Sequence, residues 1–221
     1  MQTKLLAFET PIWQKGINNI AGVDEVGRGA LAGPLVVGAV VLNKEHFSSE
    51  ISEEIALNYS LINDSKLVSP KRREILAEFI IKHAKSYSIE EIPHNIVDSA
   101  GISKSTQMGF YNSIKKLKLS VGHILTDTFC INGFSQEIQT NIIRGDSKSL
   151  SIAAASIIAK VYRDNLMVEI ANKYPEYLFE QHKGYGTKIH KEAIEKFGPC
   201  KIHRTSFEPI KSMNTNKTQT Y

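Results

Sequence analysis

At 221 residues the chain is long enough to bury a continuous core without disulfides or metal staples, and one large domain is expected. Hydrophobic residues make up 42% and charged residues 23%, which excludes a disordered or fibrous chain. The 27 Lys and Arg against 23 Asp and Glu leave a net charge of +4, compatible with a polyanionic partner but too small to require one.

The N-terminal twenty residues mix charges into every short apolar run, so they form no signal-peptide core. The longest weakly polar run, 31–42, is too short to span a bilayer. A cytoplasmic protein without a membrane partner is expected. Cys130 and Cys200 have no metal-ligand or CxxC spacing, and a single pair is no disulfide framework, so a reducing compartment is the simpler reading.

Ile20–Val26 reads as a short apolar strand and Pro34–Leu42 as a Val-rich second one, with the Gly- and Pro-rich VGRGALAGP between them, giving a hairpin-like start. Ser69-Pro70 then offers an N-cap and a first-turn proline, and Ile75, Leu76, Phe79 and Ile80 recur at helical spacing behind them. Ser86–Ile92 is a candidate third strand. Lys104–Leu119 has helical periodicity through Met108, Tyr111, Ile114 and Leu117. Val121–Thr126 reads as a buried strand ending at Asp127, and Ile138–Ile143 as another ending near Gly145-Asp146.

From Ser151 the run IAAASIIAKVYRDNLMVEI predicts a long helix whose small residues allow close packing on a sheet. The order of elements predicts an α/β architecture, a mixed sheet flanked by helices. A domain over 1–211 is expected, with a small C-terminal helical appendage at about 188–211 and a polar, disordered tail over 212–221.

Chemistry concentrates in AGVDEVGRGALAGPLVVGAVV, where Asp24 and Glu25 sit in an apolar strand just before Gly27-Arg28-Gly29. Carboxylates removed from water require a cation or good hydrogen bonds, and a divalent metal serves when several converge. Acidic and glycine residues also make ordinary strand-end turns. Adjacent strand residues point to opposite faces, so both acids face one metal only if the strand bends or ends there.

DEVGRG resembles the opening signature of the type-two RNase H family. Further blocks similar to that family follow in order: NDSK (Asn63 to Lys66), the strand-ending Asp127, GDSKSLSIAAASIIAKVYRD (Gly145 to Asp164) and HKGYGT (His182 to Thr187). Together they cover most of the chain, and the block around SIAAASIIAK is the most specific. The resemblance implies an RNase H-like fold and a four-carboxylate cluster of Asp24, Glu25, Asp127 and Asp146, both catalytic and metal-binding. Asp146 is preferred as the fourth acid because GDS follows a strand and precedes a helix. Asp164 competes, although Lys160 lies one turn earlier for an ordinary ion pair.

The resemblance further implies an endonuclease on RNA–DNA hybrids and on DNA containing single ribonucleotides, working with two Mg²⁺ or Mn²⁺ ions and water as nucleophile. It would cut 5′ to the ribonucleotide and leave a 3′-hydroxyl and a 5′-phosphate. Gly27, Arg28 and Gly29 are the candidate readers of the 2′-hydroxyl, and Tyr185 the candidate for stacking on the next sugar. Lys66, Arg144, Lys148 and Lys183 are candidate phosphate contacts, or else solvated surface charges.

This chain departs from the family pattern at Thr128, where many relatives have glycine, and NDSK lacks a second lysine. His182, His190 and His203 are read as structural or substrate-adjacent, not metal ligands. The sequence shows no coiled-coil seam, and a monomer is implied by the resemblance. The type-three relatives are the nearest rival. Arg28 between two glycines favours type two, and the short stretch before DEVGRG leaves no space for their N-terminal extension. A noncatalytic nucleic-acid binder gains nothing from four acids beside a polyanion.

Overall fold

The computed structural model describes residues 4–47, 51–65 and 67–217. In chain order they form α1 (Glu9–Gln14), β1 (Ile20–Val26), β2 (Leu35–Val41), α2 (Glu53–Leu61), α3 (Pro70–His83), β3 (Ser86–Ile92), α4 (His94–Ala100) and α5 (Ile102–Lys116). These are followed by β4 (His123–Asp127), β5 (Gln139–Ile142), α6 (Leu150–Ala171), α7 (Phe179–His182), α8 (Lys188–Phe197) and α9 (Ile210–Lys217).

The five strands make one mixed sheet in the order β3-β2-β1-β4-β5. β1 pairs antiparallel with β2, Asp24 lying opposite Gly38, and parallel with β4, Val23 lying opposite Thr126. The expected hairpin and mixed sheet are therefore present. β1 is central and β2 is buried along its whole length, which is why both read as nearly continuous apolar runs.

The two faces of the sheet are covered differently. Val40, Leu125 and Ile142 pack against Ile152, Ile157 and Ile158 of α6, and α3 adds Leu76 and Ile80. Val23, Val37 and Ala39 face Phe110 and Ile114 of α5. The small residues of α6 have a steric reason: a Cβ on Gly22 of β1 would lie 2.1 Å from the backbone carbon of Ser151, so helix and strand backbones touch.

Two of the apolar residues read at helical spacing are exposed. Ile75 is 55% and Met108 42% accessible, whereas α3 buries Arg73, Leu76, Ala77 and Ile80, and α5 buries Ser105, Thr106, Gly109, Phe110, Ser113 and Ile114. Apolar spacing misled here because polar residues occupy the inner faces. Thr106 and Ser113 bond to carbonyls of their own helix at 2.9 Å, which satisfies the hydroxyls and lets the helix lie close to the sheet.

The C-terminal segment forms its own cluster, with Ile194 and Ile210 packing on Leu31, Met167 and Phe179. Asp98 clamps it to α4 by accepting from the N–H and hydroxyl of both Thr205 and Ser206 at 2.6–3.0 Å. Helix α9 continues to Lys217, so 212–217 of the expected loose tail are helical, while 218–221 lie outside the described residues. Among the described residues no helix is long and apolar enough to cross a membrane, and both cysteines are free.

Candidate active site

Asp24 and Glu25 stand at the C-terminal end of β1 and part company there. Asp24, 7% accessible, lies on the α6 side, where Ser156 hydrogen-bonds to its carboxylate and Asp146 is an electrostatic neighbour. Glu25 instead interacts with Asp127 and with Arg28, whose Nη1 is 3.6 Å from its Oε1. Burial, the charge of Glu25 and that of Asp146 push the Asp24 carboxyl well above its usual range. Burial also raises Glu25, with Arg28 opposing and Asp127 adding to the rise.

Asp127 ends β4, one residue past the Val23–Thr126 pairing, so it arrives beside Asp24 along the parallel ladder. Its Oδ1 accepts from Gly145 N–H at 3.1 Å, tying the end of β4 to the turn that carries the buried Asp146. Thr128, immediately after, takes φ +76°, a left-handed backbone that a β-branched residue adopts only under strain. Asp164 is placed elsewhere in the charge balance: Lys160 Nζ lies 2.7 Å from one oxygen and Arg73 Nη1 3.4 Å from the other.

The four predicted acids thus gather at adjoining strand ends and interact electrostatically in pairs. Among the described residues, no three His, Cys, Asp or Glu side chains converge closely enough to hold a metal ion. Donor chemistry nevertheless suits a hard divalent cation, since every donor is a carboxylate oxygen and burial, which raises the Asp24 and Glu25 carboxyls, disfavours their charged forms unless a cation compensates.

Next to the acids, residues 27–33 form a loop held by two buried arginines absent from the sequence expectations. Arg163 of α6 donates to the carbonyls of Pro34, Lys183 and Ala32 at 2.9–3.0 Å. Arg204 donates to Gly33 and Arg28 carbonyls at 3.0–3.1 Å. Both are fully buried and charge-assisted bonds to carbonyls are the compensation. The only sequence signal was an arginine inside the apolar α6 run.

Tyr185 meets this loop directly. Its hydroxyl accepts from Gly27 N–H at 3.1 Å, and the Arg163 guanidinium lies over its ring, 5.3 Å from the centroid. Gly27 has an internal reason to be glycine: φ is +87° and a Cβ would lie 2.2 Å from Arg163 Nε. Gly29 has none, since a Cβ there would meet open space.

Of the remaining predicted residues, Lys66 lies outside the described residues. Arg144 and Lys148 are exposed on either side of Asp146, and Arg144 adopts φ +56°. The Lys183 ammonium donates to the carbonyl of Glu180.

His182, His190 and His203 form a buried network behind the Tyr185 loop. Cys200 N–H donates to His203 Nδ1 at 2.9 Å, so His203 carries its proton on Nε2 and gives it to His190 Nε2 at 3.0 Å. His190 Nδ1 in turn donates to the carbonyl of Tyr185 at 2.9 Å. Burial lowers His190 and His203 to about 4, keeping both neutral.

Residues 21–210 match the family model described as ribonuclease HII. Over 205 residues the chain is 43% identical to ribonuclease HII of Acholeplasma laidlawii, covering 93% of this chain and 95% of that one. Its fold is similar to that of ribonuclease H2 from Pyrococcus horikoshii, with a TM-score of 0.73 at 23% identity over 91% of this chain and all of the other. It is also similar to Bst-RNase HIII solved in complex with Mn²⁺, with a TM-score of 0.69 at 19% identity over 92% of this chain and 71% of that one.

Proposed function

Because the chain belongs to the ribonuclease HII family and is thereby a divalent-metal-dependent endonuclease on the RNA of RNA–DNA hybrids, we propose that it also cuts duplex DNA at single embedded ribonucleotides. Cleavage falls on the 5′ side of the ribonucleotide and leaves a 3′-hydroxyl and a 5′-phosphate.

Gly29 is the observation that carries this reading. The loop after Asp24 and Glu25 is pinned by Arg163, Arg204 and Tyr185, yet Gly29 is exposed and free of any internal steric demand. A glycine that the fold does not require is explained by a body approaching from outside, and a ribose with its 2′-hydroxyl needs such close approach to backbone groups. Gly27, Arg28, Gly29 and Tyr185 are the proposed substrate contacts, with Lys66 of NDSK as a further phosphate contact.

Asp24, Glu25, Asp127 and Asp146 are the proposed ligands of two Mg²⁺ or Mn²⁺ ions, which when bound supply charge stabilisation at the attacking and leaving oxygens. Asp146 is preferred over Asp164 because it is an electrostatic neighbour of Asp24, whereas Asp164 pairs with Lys160 and Arg73. Ser156 and Glu25 N–H hold the Asp24 carboxylate, the latter at 2.8 Å, so this ligand is oriented before substrate arrives. A monomer is proposed as the working unit, as the resemblance implies.

The test is cleavage of a DNA duplex carrying one internal ribonucleotide, by the natural chain and by Asp24→Asn, with Mg²⁺, Mn²⁺ or chelator. The expected result is a metal-dependent 5′ cut that the substitution abolishes. Cleavage confined to longer hybrids, or a 2′,3′-cyclic phosphate product, overturns the proposal.

A further inference from the structure

The turn after Asp127 contributes an aromatic ring that belongs to neither the acid cluster nor the 27–33 loop. Phe129 stacks on the fully buried Phe110, with centroids 5.4 Å and planes 21° apart. Its carbonyl accepts from Thr126 Oγ1 at 2.8 Å and its N–H donates to the Asp127 carbonyl at 3.1 Å. Ring and backbone are therefore both fixed.

Over this ring lies the Arg28 guanidinium, 5.5 Å from the centroid. Its other neighbour is Glu25, reached by a single long contact of 3.6 Å that still lowers the Glu25 carboxyl. A guanidinium beside a half-buried carboxylate ordinarily closes onto it with two parallel N–H···O bonds. The aromatic face competes for the same cation, and a guanidinium carries more N–H donors than one long contact to Glu25 can use. The Arg28 side chain remains 43% accessible, so its two neighbours do not enclose it.

We propose that Phe129 is a positioning residue for substrate recognition: it keeps Arg28 from closing onto Glu25 with two parallel bonds, leaving N–H donors available to a phosphate of the bound duplex. The proposal rests on Arg28 being a substrate contact. It gives the rigid Phe110–Phe129 stack a function and adds to the reading loop a residue from the strand that carries Asp127.

A double-mutant cycle tests it. Binding of a fluorescently labelled RNA–DNA hybrid is measured by anisotropy, with Ca²⁺ in place of Mg²⁺, for the natural chain, Phe129→Leu, Arg28→Ala and the double variant, with Phe129→Tyr as the conservative control. Phe129→Leu is expected to weaken binding roughly three- to tenfold, the range for a partly exposed cation–π contact. In the Arg28→Ala background the same change is expected to shift Kd by less than about twofold, as coupled residues require. Phe129→Tyr keeps the natural Kd.

A merely structural role lowers thermal stability but leaves the two substitutions multiplicative, and that result overturns the proposal, as does unchanged binding in Phe129→Leu. If Arg28→Ala alone leaves binding unchanged, its assignment as a substrate contact falls and this inference falls with it. If Arg28→Ala weakens binding but the effects multiply, that assignment stands and only the inference fails.

Discussion

The hydroxyl of Tyr185 accepts a hydrogen bond from the backbone N–H of Gly27 at 3.1 Å, linking two segments 158 residues apart in sequence. The tyrosine proposed to stack on substrate therefore also fixes the backbone proposed to read the ribose. Tyr185→Phe keeps the ring and leaves that N–H without its partner, which costs about 1 kcal/mol or slightly more. Urea denaturation is expected to show that loss, and cleavage of the single-ribonucleotide duplex a KM raised several-fold.

The two glycines of the loop separate structural from substrate demands. Gly27→Ala meets both the positive φ and Arg163, and is expected to destabilise the chain by about 2 kcal/mol or more. Gly29→Ala meets neither, so its melting temperature should match the natural chain while substrate binding weakens. Unchanged binding by a well-folded Gly29→Ala variant would sink the reading of Gly29 as a point of substrate approach.

Asp146 and Asp164 are separable in the same way. Asp146→Asn is expected to lower metal-dependent cleavage by about a hundredfold or more, through loss of an oxygen donor to the cations. Asp164→Asn breaks contacts to Lys160 and Arg73 and is expected to cost about 1 kcal/mol of stability while retaining cleavage. Reversed outcomes would move the fourth ligand to Asp164.

At Thr128 the left-handed backbone costs a β-branched residue about 1–2 kcal/mol. Glycine removes that strain and adds unfolded-state entropy worth about 0.5–1 kcal/mol in the opposite direction. Thr128→Gly is therefore expected to raise stability by about 0.5–1 kcal/mol, read as a higher denaturation midpoint with an unchanged slope.

The buried histidines set a pH dependence with a definite sign. His190 and His203 are lowered to about 4 in the folded chain by burial, against about 6.5 for an unperturbed ring. As pH falls below 6.5 the unfolded chain takes up these protons first. The stability the pair contributes is then complete above about 6.5 and lost progressively towards 4. Asp24 and Glu25 act in the opposite sense, because their raised carboxyls take up protons first in the native chain. NMR titration isolates the pair: both rings are expected to stay neutral from pH 7.5 to 5.

Much of this architecture was legible because local pattern and tertiary demand agree. β1 and β3 occupy the predicted ranges, and DEVGRG announces a turn whose glycines are structural at Gly27 and open at Gly29. The alternation rule also held at the acids: Asp24 and Glu25 have different neighbours because the strand does not bring them to one face. Where long-range partners decide the outcome, sequence was silent. Glu9, for which the sequence raised no expectation, is fully buried, accepting from Ser149 and Ser151 at 2.6–3.0 Å at the start of α6. Arg163 and Arg204 carried no sequence expectation, because the carbonyls that compensate their burial include ones 129 and 171 residues away.

Arg204 also dictates an order of assembly. A nascent chain already contains all four acids once Asp146 has been made, but the carbonyls of Arg28 and Gly33 wait for a guanidinium supplied 58 residues later. Until that residue leaves the ribosome and Asp98 captures the Thr205-Ser206 pair beside it, the 27–33 loop lacks one of its two arginine braces. Chains terminated between Asp146 and Arg204 thus carry the acids without this brace on the 27–33 loop.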